Sequence, residues 1–124
     1  MKRVMAMVGL LALAACGEGE ITEIARYPSP AGNFDAVVGH MQAGQTDPFM
    51  VVMTKTGDNP GKGARLLLAD RTDAPTVEWT DAGHLTIRCS KARIWSFRNF
   101  WTTPDAKQLN VSVALECGQS GWAP

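Results

Sequence analysis

The chain has 124 residues, the size of one ordinary domain, which leaves little room for two independent cores. Hydrophobic residues make up 45% and charged residues 19%, a globular rather than a disordered balance. Lys+Arg and Asp+Glu both number 12, so no net charge points to nucleic acid as a partner.

The N-terminus opens Met1-Lys2-Arg3, runs apolar from Val4 to Ala15 and reaches Cys16. A positive start, about a dozen apolar residues and small residues at the end make residues 1–15 a secretory signal. The run is shorter than the roughly 20 residues a bilayer span needs. Leu13-Ala14-Ala15-Cys16 resembles the lipobox of bacterial lipoproteins. The resemblance implies a diacylglyceryl group on the Cys16 thiol, cleavage before it and acylation of the new amino group. It places the protein in the cell envelope, anchored on the periplasmic side of a membrane, and Gly17, where an aspartate would favour inner-membrane retention, leans toward the outer one. Each buried acyl CH₂ contributes about 0.8 kcal/mol, so two or three chains make a firm anchor. Removing 1–15 takes Lys2 and Arg3 from the 12 basic residues, leaving 10 against 12 acidic ones, a formal charge of −2. Nothing in that balance suggests that the folded part binds an anionic membrane surface.

Residues 16–30 hold Gly, Glu and two prolines with no sustained period, and read as a flexible tether ending in extended Pro28-Ser29-Pro30. From 31 to 124 no helical stripe of useful length survives the Gly, Pro and turn clusters. Short β-branched and aromatic runs alternate with turns instead, the pattern of an all-β domain. Strands are expected at Phe34–Met41, Phe49–Thr54, Arg65–Ala69, Thr76–Thr80, His84–Cys89, Arg93–Thr102 and Leu109–Cys117, with a short helix at 91–100 as the competing reading. Asp81-Ala82-Gly83 marks a tight hairpin. Gly57–Gly63 reads as a mobile hairpin loop, since it lacks the Gly-Lys-Ser/Thr ending of a phosphate loop.

Period two is clearest late in the chain. Leu85, Ile87 and Cys89 share one face, as do Leu109, Val111, Val113, Leu115 and Cys117. Such alternation means one buried and one wet face, as in an antiparallel sheet. The expected fold is a small antiparallel sheet, a sandwich or partly closed meander, of six to eight strands. With Cys16 lipidated, Cys89 and Cys117 remain, both on apolar faces and able to meet inside as a disulfide. Closing that loop of about 29 residues would stabilise the fold by roughly 3–4 kcal/mol on the chain-entropy argument. A reduced pair is the alternative reading. Redox or metal chemistry would want Cys-x-x-Cys spacing, which is absent.

From Tyr27 onward the motifs resemble a family of small bacterial lipoproteins to which no activity is assigned. The resemblance rests on Tyr27-Pro28-Ser29-Pro30-Ala31-Gly32-Asn33-Phe34-Asp35-Ala36-Val37-Val38, on Val77-Glu78-Trp79-Thr80-Asp81 leading into Leu85-Thr86-Ile87, and on Lys91–Trp101. The first two also resemble strand-turn-strand pieces of β-propeller blades, although Ala31 stands where those turns carry Asp and this chain is too short to close a propeller. The family supplies no catalytic residue.

The richest segment is Arg88–Trp101, where Arg88, Lys91, Arg93 and Arg98 interleave with Trp95, Phe97, Phe100 and Trp101. Aromatics between cations can stack rings and hold anions. The same residues also suit a strand with a covered aromatic face and solvated arginines. The candidate binding surface is Arg93, Trp95, Phe97, Arg98, Phe100 and Trp101.

Catalysis finds little support. A triad could be drawn from His84, Asp81 and Ser90 or Ser96, but no nucleophile motif surrounds either serine. His40 closes a strand, and no His or carboxylate cluster has metal-ligand spacing. No enzyme, cofactor or metal is expected. The expected function is a non-enzymatic, lipid-anchored binding or structural module, held in the membrane through Cys16 and partnered by an envelope protein rather than nucleic acid. The alternative is a periplasmic inhibitor of lysozyme or another cell-wall hydrolase, by analogy of size and address alone.

Overall fold

In the computed structural model, which describes residues 21–41, 47–103 and 110–118, the chain is built almost wholly of strands. They are β1 (Ile21–Pro28), β2 (Phe34–Met41), β3 (Phe49–Lys55), β4 (Ala64–Asp70), β5 (Thr76–Asp81), β6 (His84–Cys89), β7 (Arg93–Phe97), β8 (Phe100–Thr102) and β9 (Asn110–Cys117). The first sheet has five strands in the order β1-β2-β3-β4-β7 and the second has four, β5-β6-β9-β8. The expected signal segment, Cys16 and Leu109 lie outside the described residues.

The nine strands among the described residues exceed the six to eight expected, for two local reasons. Residues 21–28, read as part of a flexible tether, pair along β2 from Ile21↔Met41 to Pro28↔Asp35. None of this strand's residues is fully buried and half are exposed, so no alternation announces it. The run 93–102 breaks at Arg98-Asn99, where the chain leaves the first sheet and enters the second. Arg98 N–H donates to Leu66 O in the first sheet at 2.8 Å, and Asn99 O accepts from Val113 N–H in the second at 2.8 Å. The competing helix at 91–100 is not formed.

All pairs in the first sheet are antiparallel, as are β5–β6 and β8–β9. The exception is β6–β9, which run parallel from His84↔Ser112 to Cys89↔Cys117. The wholly antiparallel expectation is corrected here, since a strand buried on one face alternates the same way in either orientation. The connection through β7 and β8 supplies the long crossover that a parallel pair needs.

The sheets pack face to face rather than closing into a barrel. Phe34, Ala36, Val38, Val51, Met53 and Leu67 of the first sheet form one core cluster with Leu85, Ile87, Trp101, Val111 and Val113 of the second. Trp79 adds a polar tie by donating its indole N–H to Tyr27 O across the sheets at 2.9 Å. The first sheet is covered on its other face as well, where Val37, Met50 and Val52 are buried. There Gly39 leaves the space that Ile21 occupies, because a Cβ would collide with Ile21 Cγ2. Loop 57–63 holds a single 3-10 turn, Pro60–Lys62, capped by Asn59 Oδ1 accepting from Gly61 N–H at 2.8 Å.

Candidate functional site

β7 is one of the two edges of the first sheet among the described residues, the other being β1, and it begins with an ion pair. Asp70, at the end of β4 and only 1% exposed, accepts two hydrogen bonds from Arg93, Nε to Oδ1 at 2.9 Å and a terminal nitrogen to Oδ2 at 2.7 Å. This fork holds the Asp70 carboxyl below its ordinary value against the opposing effect of burial, with Trp95 contributing in the same direction. The same bonds raise Arg93.

The β4–β7 register slips between Leu68↔Ser96 and Ala69↔Ile94, so Trp95 is the extra residue of a bulge. Bulges at sheet edges re-aim a side chain. Here the indole remains 45% exposed, with the Arg93 guanidinium 4.7 Å from its ring centroid. Such a stacked cation holds the ring in place.

The structure divides the remaining candidates. Phe97 pairs with Leu67 and packs, half-buried, against the core. Arg98 is exposed at the end of β7. Phe100 lies in the second sheet opposite Ser112 and is 57% exposed. Trp101 belongs to the core at 8% exposure, so it is removed from the binding surface. The six residues do not form one patch, because the Arg98-Asn99 step sends neighbours in sequence to different sheets. Arg93 and Trp95 remain together on the first sheet's edge, and Arg98 lies just past the end of β7, tied at its backbone to Leu66 O.

One hollow lies away from β7 and another beside it. The first, of about 260 Å³, opens between the sheets among Phe34, Met53, Lys55, Asp58, Lys62 and Trp101. The other, of about 470 Å³, lies where β7 leaves β4 and is lined by Ala64, Arg65, Leu66, Ser96, Phe97 and Arg98. Arg65 was not singled out from sequence. It stands 33 positions before Arg98, and only the β4–β7 pairing brings the two together.

Cys89 and Cys117 form a disulfide between directly paired positions of β6 and β9, with Cα atoms 4.5 Å apart. His84 Nδ1 lies 2.8 Å from Asp81 Oδ1 at the exposed hairpin, which lowers the Asp81 carboxyl with help from the Gly83 N–H. The triad is not assembled, since Ser96 is in the other sheet and Ser90 Oγ donates to Asp73 at 3.5 Å. His40 faces the Phe49 ring at a centroid distance of 5.0 Å. Among the described residues, no group of three or more His, Cys, Asp or Glu side chains is placed to hold a metal ion.

No protein-family model, curated protein or solved structure matches this chain.

Proposed function

We propose that the protein is a lipid-anchored module of a bacterial envelope, fastened through Cys16, that binds another envelope protein along the outer edge of β7. The observation that carries the binding site is Trp95, a large aromatic left 45% exposed yet held by the Arg93–Asp70 pair. An aromatic anchor that is already ordered loses little freedom on binding, and Trp and Arg are the residues that most often dominate protein interfaces. Leu13-Ala14-Ala15-Cys16, after its apolar run, supports the address.

The experiment places a photo-crosslinking residue at position 97 or 98 of the full chain in the native envelope. One discrete crosslinked species is expected, lost in Trp95→Ala while Phe100→Ala retains it. A crosslink insensitive to Trp95→Ala, or none at all, overturns the β7 site. Mass spectrometry of the mature chain tests the anchor separately, since an unmodified Cys16 removes it.

A further inference from the structure

Three of the described arginines are ion-paired: Arg26 with Glu23 and Asp35, Arg88 with Glu78 and Glu116, and Arg93 with Asp70, while Arg71 lies exposed beside Asp70 without a salt bridge among the described residues. Arg65 and Arg98 face one hollow, and neither has an ion pair among the described residues. The residues lining that hollow include both arginines and no acidic residue.

Both arginines are exposed, and the apolar Leu66 and Phe97 line the hollow beside them. A third polar group is half-buried there. The Ser96 hydroxyl lines the same hollow and has no hydrogen-bond partner among the described residues. The residues lining this one hollow thus carry two guanidinium groups and a hydroxyl, all N–H or O–H donors, and no anionic acceptor.

The fold fixes where these donors start. Arg65 is held opposite Val52 by the β3–β4 ladder, Ser96 opposite Leu68, and Arg98 is tied at its backbone to Leu66 O at 2.8 Å. The backbone positions are therefore set before a ligand arrives, and binding has only the side chains to order.

We infer that the hollow between Arg65, Ser96 and Arg98 is an oxyanion site, taking a phosphate or carboxylate through charge-assisted hydrogen bonds from both guanidinium groups and the hydroxyl. Planar guanidinium donors match the oxygen spacing of both anions. The site adjoins the Trp95 edge and deepens the binding reading above by naming the chemistry of what is bound, though it is tested independently of any protein partner.

The test titrates the full chain in neutral detergent micelles with inorganic phosphate, followed by calorimetry. Saturable binding at one site is expected, weakened about tenfold or more in Arg65→Gln and in Arg98→Gln, each of which removes a charged hydrogen-bond donor. Arg88→Gln, on the other sheet, leaves it unchanged. Repeating the titration in micelles doped with phosphatidylglycerol separates the sources. A lipid phosphate already in the hollow lowers the apparent affinity for free phosphate, whereas a site for soluble oxyanions is unaffected. Absence of saturable heat in neutral micelles, or equal binding by all variants, overturns the inference. In that event a Trp95-dependent crosslink can still stand, so the two failures are distinguishable.

Discussion

Trp101 meets Phe34 edge to face, with ring centroids 4.9 Å apart and planes at 78°, and the contact joins the two sheets. Phe34 begins β2, at the turn after Pro30-Ala31-Gly32-Asn33, and Trp101 is the middle residue of the three-residue β8. So short a strand has few ladder bonds of its own, and the buried indole is what holds it in place. Trp101→Ala is expected to cost about 3–5 kcal/mol. Trp101→Phe, which keeps an aromatic ring, should cost less. Urea denaturation with the disulfide intact measures both, and a loss under about 1 kcal/mol for the alanine variant would contradict the assignment of Trp101 to the core.

The disulfide joins adjacent, parallel strands across a sequence separation of 28. Replacing Cys89 and Cys117 together by alanine is expected to lower stability by about 3–4 kcal/mol, chiefly by releasing the unfolded chain. Reduction of the native protein by dithiothreitol should lower the urea midpoint by a similar amount and leave the double variant unchanged. Gly118 continues past the bridge where a Cβ would sit 2.7 Å from Ser90 O, so Gly118→Ala should destabilise the same corner without touching either sulfur.

How much of this was legible depended on which faces water reaches. In β9 one face is covered and the other wet, and in β6 the polar face is wet except at Thr86, so Leu85, Ile87, Val111 and Val113 stand out in alternation and reveal both strands and the cysteine pairing. In β2 and β3 both faces are covered, and the sequence shows apolar runs whose period is hidden. The strand β1 has no fully buried residue and shows no pattern at all. The divided fate of 93–102 escaped for a different reason: Phe97, Phe100 and Trp101 look like one apolar strand, and nothing local says that Arg98 and Asn99 change sheets. The Arg65–Arg98 hollow depends on a pairing of β4 with β7 across all of β5 and β6, which no spacing rule anticipates.

Acid should weaken the β4–β7 edge in a definite direction. Arg93 holds the folded Asp70 carboxyl below its ordinary value of 3.8. Between the folded value and the unfolded one, the unfolded chain binds more protons, so stability rises with pH across that window. The contribution is complete above the unfolded value, at neutral pH, and is lost as pH falls through the folded value. Asp70→Asn should therefore be less stable than the native chain at pH 7, and the gap should narrow on acidification below about pH 4. A gap constant from pH 7 to pH 3, followed by circular dichroism in urea, would show that the pair contributes through packing alone.

The last prediction concerns the clamp that turns a presumed tether into a strand. Arg26 on β1 donates to Asp35 Oδ2 at 2.8 Å, to Glu23 Oε1 at 2.7 Å and to Asp58 O at 2.8 Å, so one side chain ties the edge strand to β2 and to the turn after β3. Gly57 N–H adds a bond to Asp35 Oδ2 at 3.1 Å, while Oδ1 is buried with no hydrogen-bond partner among the described residues. Asp35 is 2% exposed, and Arg26 is the charged partner it meets. Removing a partner from a buried ion costs more than the pair itself is worth, because the remaining charge stays desolvated. Arg26→Gln is thus expected to cost about 3 kcal/mol or more, and Asp35→Asn in that background should recover part of the loss. The double-mutant cycle should then return a favourable coupling of about 1–3 kcal/mol. Hydrogen exchange should also quicken at Ile21–Pro28 in Arg26→Gln before the core strands respond, since β1 has few buried contacts to hold it once the clamp opens. Equal acceleration throughout the first sheet would instead mean that β1 and the core unfold as one unit, with Arg26 contributing no local hold.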